Sequence, residues 1–266
     1  MNYESIKLGR VVCDFLNQDD WLTYCQRAFA KGGYHHIVTL NPEMVLLAHQ
    51  NQLFLDATAK ANLRVPDGAG LIWARWYLRS SYWLLLPSLI AFVKQPVERI
   101  TGVDAIMNLA QLCLRHKRSV FIVGGNRSNI QKTVVIMKQK FPGLITTVSA
   151  SHDYNEITSP EEILQEIRRV RPGVVMVAYG APEQTVWLET HRQDLANAGI
   201  IIGIGVGGAF DILSEKLPRA PASLRAMNLE WLWRLYLEPK RLPRIINAVW
   251  HFPYLMKKFK KGVPLT

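Results

Sequence analysis

Five short polar clusters each follow an aliphatic run, and they hold the side chains best suited to chemistry. Thr39-Leu40-Asn41-Pro42-Glu43 sets a hydroxyl and a carboxamide beside a helix start, where they could hold sugar hydroxyls or phosphate oxygens. Asn41 equally suits a plain helix cap. Pro66-Asp67-Gly68-Ala69-Gly70 can bring one carboxylate close to a substrate, although Asp-Gly is also ordinary turn chemistry. Glu98-Arg99-Ile100-Thr101-Gly102 places Arg99 just before a helix start, as a ligand or as a surface arginine paired with an acid. Gly124-Gly125-Asn126 follows the run Ser119–Val123, and its glycines would let backbone approach a diphosphate; a tight turn reads the same way. Gly180-Ala181-Pro182-Glu183-Gln184 precedes a run ending in Gly205-Val206-Gly207-Gly208-Ala209-Phe210-Asp211. There Gln184 could bond a sugar or a base and Asp211 could accept from a uracil or ribose, or the two could serve as a helix-start glutamine and a capping acid.

Other chemistries find no foothold. The dinucleotide fingerprint around Gly124 is incomplete and no acid ends the next strand, which argues against a nicotinamide enzyme. The chain has no P-loop, no His-Glu-x-x-His, no Gly-x-Ser-x-Gly and no Cys/His cluster. An Asp-x-Asp pair for a divalent ion is also missing, so no metal and no other cofactor is expected.

The elements that must position these clusters alternate. Strands are expected at His36–Leu40, Leu63–Val65, Ser119–Val123, Ile145–Val148, Val174–Tyr179 and Ile200–Val206. Several are unbroken Val/Ile runs, the pattern of a parallel sheet covered on both faces. Helices are expected at Pro42–Ala61, Asp104–His116, Ser128–Phe141, Glu161–Val170 and Glu183–Ala198. The fold class is therefore α/β, a Rossmann-like core with a parallel sheet whose ligands sit beyond the C-terminal strand ends. At 49% hydrophobic content the 266-residue chain can fill such a core.

Near Pro218 the alternation stops. Residues 1–215 form the expected catalytic core, and residues 216–266 a basic, aromatic appendage with helices at Asn228–Leu237 and Leu242–Phe259. The appendage holds eleven Lys/Arg against two acids, so it carries +9 of the formal +11. Such a tail suits a phosphate, a nucleic acid or an acidic membrane face. A nucleic-acid-binding α/β protein and a non-catalytic membrane scaffold are the rival classes. Charge confined to a tail and polar residues at the strand ends count against the first of these.

Cys13, Cys25 and Cys113 lack metal-ligand spacing and read as buried or incidental thiols. The polar N-terminus shows no secretory leader. Residues 80–93, SSYWLLLPSLIAFV, are uncharged but fall short of the roughly twenty residues a bilayer span needs. They suit a buried or self-associating helix or a segment lying in a membrane interface. Self-association into a homo-oligomer stays open.

In chain order these segments resemble the WecG/TagA/CpsF glycosyltransferases. The resemblance rests on Thr39-x-Asn41, Asp67-Gly68, Glu98-Arg99-x-x-Gly102, Gly124-Gly125, Gly180-x-Pro182-x-Gln184 and the Gly205–Asp211 segment. It continues through Arg219-Ala220-Pro221, Leu229–Leu235, Glu238-Pro239-x-Arg241 and Arg244. The ordered set is specific although no piece of it is. It implies transfer of a hexose, an N-acetylhexosamine or its uronate from a UDP-sugar to a polyprenyl-diphosphate-linked sugar, with inversion and without a metal. It also implies a cell-envelope polysaccharide pathway, a peripheral position on the inner face of the cytoplasmic membrane and no nucleic-acid partner. By the same resemblance Asp67 becomes the general base, Thr39 and Asn41 orient the donor sugar, and Arg99 and Gln184 line the pocket. Gly124, Gly125 and Asp211 contact the nucleotide, and Arg234, Arg241 and Arg244 face diphosphate while the tail's aromatics and terminal lysines meet the membrane. Two features depart from the family pattern: Thr185 stands where an acid is usual, and the segment between Asp67 and Arg99 is longer. The longer segment is expected to add membrane or partner contact.

Overall fold

The computed structural model of the chain describes residues 3–81, 84–93, 100–149, 159–214, 220–221, 224 and 230–262. An N-terminal hairpin, β1 (Glu4–Leu8) and β2 (Val11–Phe15), turns through Gly9, whose φ of +65° suits the first position of a two-residue turn. It joins the body through Asp14, whose Oδ2 accepts from the Arg64 backbone N–H and guanidinium.

Six parallel strands form the core: β3 (His35–Leu40), β4 (Leu63–Pro66), β5 (Val120–Val123), β6 (Thr146–Val148), β7 (Val174–Val177) and β8 (Ile202–Gly205), in the order β4-β3-β8-β7-β5-β6. β5, β7 and β8 are buried along their whole length, which is why their sequences show no polar alternation.

Helices cover both faces: α1 (Gln18–Lys31), α2 (Pro42–Gln50), α3 (Gln52–Lys60), α4 (Ala69–Arg79), α5 (Leu85–Val93), α6 (Gly102–Arg115), α7 (Arg127–Lys140), α8 (Pro160–Val170), α9 (Glu183–Thr190), α10 (Arg192–Asn197) and the short α11 (Ala209–Leu213). The sequence predicted one helix over Pro42–Ala61, and the structure breaks it. Asn51 ends α2 and its side chain accepts from the Phe54 N–H at 2.9 Å to start α3. The stretch predicted as Glu183–Ala198 likewise breaks at His191. Helix α4 went unforeseen; its Leu71, Trp73, Ala74 and Tyr77 are buried.

The appendage contributes α12 (Glu230–Leu237), a 3₁₀ turn (Pro239–Arg241) and a continuous run of α13 (Leu242–Ile246), a π turn (Asn247–His251) and α14 (Phe252–Lys260). Part of α14 turns inward, which takes Phe252 and Lys260 out of the tail aromatics and terminal lysines expected to meet a membrane. Phe252 and Met256 are fully buried with Trp73, Tyr77 and Phe92, and Phe252 lies edge-on to Trp73 at 6.4 Å. Lys260 donates to the carbonyls of Tyr77 and Ser80, where the C-terminal end of the α4 dipole favours a cation. Trp250 and Tyr254, on the other side of the same helix run, stay exposed. All three cysteines are buried free thiols, and burial pushes Cys113 up to about 12, which keeps it unreactive.

Candidate active site

Because the sheet is parallel, its strands end together. Leu40 pairs with Pro66, Val38 and Val177 each with Gly205, and Val123 with Val177. The residues that follow form one rim: Asn41 after β3, Asp67 after β4, Gly124-Gly125 after β5, Ala178–Gly180 after β7 and Val206–Gly208 after β8. Backbone bonds extend the ladder past the strand ends, from Asp67 N to Leu40 O at 2.5 Å, Ala178 N to Val123 O at 2.9 Å and Val206 N to Val177 O at 2.9 Å. Four strand spacings of about 4.8 Å separate β4 from β5, so the rim runs roughly 19 Å from Asp67 to Gly124. That length suits an extended ligand with two recognisable ends.

Missing side chains hold the turns close. A Cβ on Gly124 would drive into the Tyr179 ring, and its φ of +74° is one that few other residues adopt. A Cβ on Gly205 would meet the Gln184 carboxamide at 2.6 Å. Gly70 lies against Pro42, bringing the Asp67 turn to the Asn41 turn, and Gly102 lies against Ala209, bringing the start of α6 to the β8 turn. Arg99 itself lies outside the described residues. The chain resumes beside the rim at the buried Ile100.

Polar side chains then brace one turn to the next. The Thr39 hydroxyl donates to Gly205 O at 3.0 Å, tying β3 to β8. Gln184 is buried, and its Oε1 accepts from the backbone N–H of Gly207 at 3.0 Å and of Gly180 at 3.3 Å. Both contacts require oxygen at that position, so the Nε2 donors occupy the other arm of the amide. Asn41 Oδ1 accepts from Met44 N at 3.0 Å and caps α2. Asp211 Oδ1 accepts from Nδ2 of the buried Asn129 at 2.5 Å, which joins α11 to α7. Gln184, Asn41 and Asp211 thus commit one side-chain polar atom to the scaffold, and their second atoms have no hydrogen bond among the described residues. Asp67 is half-buried at the β4 end of the rim.

Arg244 of α13 reaches this rim. Its guanidinium pairs with Glu43, in the first turn of α2, at 2.7 Å. The Arg234 and Arg241 side chains lie outside the described residues, so Arg244 is the described tail arginine at the site. Sequence reasoning gave no role to Asn129, Glu43 or Tyr179, although Glu43 lies in the first cluster and Tyr179 ends a predicted strand. Nothing in their spacing marks them, because each acts through a partner distant in the chain. No group of three or more His, Cys, Asp or Glu side chains comes together among the described residues in a way that could hold a metal ion.

The profile of the glycosyl transferase WecG/TagA/CpsF family matches residues 6–263, nearly the whole chain. The chain belongs to this family. It is a hexosyltransferase-type enzyme on an α/β scaffold, as its sequence resemblance anticipated. A similar protein in Staphylococcus aureus (strain NCTC 8325 / PS 47) is the N-acetylglucosaminyldiphosphoundecaprenol N-acetyl-beta-D-mannosaminyltransferase. It is 26% identical over 229 residues, covering 85% of this chain and 81% of that one. The protein of the same name in Bacillus spizizenii (strain ATCC 23059 / NRRL B-14472 / W23) is 29% identical over 217 residues, covering 82% of this chain and 76% of that one. In this glycosyl transferase no described helix is long and apolar enough to cross a membrane.

Proposed function

We propose that this glycosyl transferase moves a hexosyl or N-acetylhexosaminyl group, or its uronate, from a UDP-sugar to a sugar carried on polyprenyl diphosphate. The reaction inverts the anomeric carbon, needs no metal, and serves cell-envelope polysaccharide synthesis at the inner face of the cytoplasmic membrane. The observation that carries this reading is the rim itself, with a carboxylate at one end and, about 19 Å away, a glycine turn leading into α7, whose Asn129 braces Asp211. The two relatives' names make UDP-N-acetylmannosamine the first donor to try and N-acetylglucosaminyl diphosphate lipid the first acceptor.

In the proposed step Asp67 takes the proton of the acceptor hydroxyl while that oxygen bonds to the anomeric carbon. The bond from that carbon to the diphosphate oxygen breaks, and its electron pair leaves on UDP. General-base help of this kind is worth about 10²–10⁴ in rate. Gln184 Nε2 and Asn41 Nδ2 donate to sugar or phosphate oxygens, and Thr39 keeps its strand in register. Asp211 accepts from the nucleoside beside the Gly124-Gly125 turn. Arg244, with Arg99, Arg234 and Arg241, offsets the leaving-group charge. The Glu43 pair does not preclude this, since an exposed ion pair is worth about 0–1 kcal/mol and a diphosphate carries more charge than one carboxylate.

Incubating the protein with UDP-sugars and a short-chain prenyl-diphosphate-linked N-acetylglucosamine tests this function. UDP should appear in the presence of EDTA. Absence of turnover with every donor, or turnover only after adding a divalent cation, would overturn the corresponding part.

A further inference from the structure

Helix α5 has two apolar faces. Leu85, Leu89 and Phe92 turn inward onto α4 and α14, and Trp76 meets Phe92 at 6.2 Å. On the other side Leu84, Leu86 and Ile90 are 63%, 70% and 60% exposed, with exposed Pro87 among them. No charged residue interrupts 84–93. An aliphatic face this open, on a segment that already has a packed face, indicates a contact surface beyond the core.

What lies beside it narrows the partner. Lys260 anchors on Tyr77 and Ser80, at the junction from which the chain enters α5. Lys257, Lys258 and Lys261 are within about one helical turn of that anchor, and Lys258 and Lys261 are exposed. The described carboxylate near this junction is Glu4, which is paired with Arg75 and Arg79. Two copies meeting through this face would bring their lysine clusters together, and the like charges disfavour that pairing. An anionic, hydrocarbon-bearing partner satisfies both features.

We propose that the outer face of α5 enters the headgroup–acyl boundary of an anionic bilayer, with Lys257, Lys258 and Lys261 as its positive rim. This rests on the reading of a lipid-linked acceptor and adds a second point of lipid contact, on the segment that is longer here than in the family. Such seating would fix the enzyme's tilt on the membrane, not merely its attachment.

Flotation of the full chain with phosphatidylcholine vesicles, with and without phosphatidylglycerol, tests the proposal in the absence of donor and acceptor. The wild type should float with the anionic vesicles. Leu86→Glu with Ile90→Glu should lower that partition roughly tenfold or more, and Lys258→Glu with Lys261→Glu should lower it and flatten its salt dependence. Both double variants should keep the wild-type melting temperature and turnover on a detergent-dispersed short-chain acceptor. Unchanged flotation of Leu86→Glu with Ile90→Glu overturns the proposal. A fall in mass by light scattering in that variant, with flotation intact, overturns it in favour of a second copy. Because no sugar transfer enters the measurement, a failed transferase assay leaves its outcome readable.

Discussion

The two rims of the sheet treat polar groups in opposite ways. At the N-terminal rim they form a closed ring. His36 Nδ1 meets Glu189 Oε2 at 3.0 Å, Arg192 clamps Glu189 at 2.8 and 2.9 Å, and Arg192 also reaches Asn62 Oδ1 at 3.2 Å. That same oxygen accepts from the His36 backbone N–H at 2.9 Å. At the C-terminal rim three groups are half-committed: among the described residues, Gln184, Asn41 and Asp211 bond the scaffold through one side-chain atom and not through the other. The closed ring holds the strand ends together. The half-committed set holds its own orientation and presents donors and acceptors of known sign, as preorganised recognition requires. A buried polar network therefore points to structure or to function according to whether its bonds close.

The contrast can be broken by substitution, beginning at Asp67. Asp67→Asn should lower kcat about 10²–10⁴-fold with UDP binding and melting temperature retained; normal turnover would remove Asp67 as the base. Gln184→Ala should leave two part-buried backbone N–H groups without their acceptor, costing about 1–3 kcal/mol of stability together with activity. Gln184→Glu keeps both acceptor bonds but loses the Nε2 donors, so it should melt above Gln184→Ala, below wild type for the cost of burying a carboxylate, and still turn over poorly. If Gln184→Glu were fully active, Gln184 would be a brace alone.

At the opposite rim the order of effects should reverse. Glu189→Ala should cost about 1–3 kcal/mol in denaturant unfolding while kcat per folded molecule stays within about twofold. That rim also carries a pH dependence. Burial lowers the His36 pKa despite its carboxylate neighbour, and its Nε2 has no partner among the described residues, so protonation would bury an unmatched N–H. For Glu189, burial works against the charge, but the bonds from His36 and Arg192 outweigh it and hold the carboxyl below its usual range. Both depressed values mean that the unfolded chain takes up protons more readily than the folded one. Stability should be full at neutral pH, fall as pH drops below the ordinary histidine value of 6.5, and fall further below the ordinary carboxylate value of 4.5. Thermal melts across that range should show the decline, and His36→Asn should reduce its upper part, to which burial-depressed His35, His49 and His191 also contribute. Least of all, Glu43→Gln should change stability by about 0–1 kcal/mol and leave or slightly raise kcat/KM by releasing Arg244.

Much of the scaffold was legible because burial on both faces leaves Val/Ile runs such as Val174–Val177, whose limits the sequence placed within two residues. The hairpin Glu4–Phe15 was not, since its Glu, Lys and Arg mask a two-residue alternation that only Gly9 punctuates. Asn51 hid a helix break inside a good helical pattern, because an asparagine that caps looks like one that is tolerated. At the site, the residue types and their order pointed to the C-terminal rim. Their bonds did not show: Thr39 meets a carbonyl 166 residues away and Asn129 a carboxylate 82 away. Phe252 misled for a related reason. Set in a basic tail, it read as one of the membrane-facing aromatics until α4, itself unforeseen, gave it something to cover.

That covering role gives the C-terminal helix a bearing on the protein's lifetime. If a protease removed the chain from the π turn onward, Trp73 and Tyr77 would lose Phe252 and Met256 from above them, and the last turn of α4 would lose its lysine cap. The trimmed molecule would keep every polar group of the C-terminal strand ends and still display a fresh aromatic surface of the kind chaperones and degradative enzymes seize. Damage to the tail would therefore be sensed as misfolding before it was felt as lost catalysis.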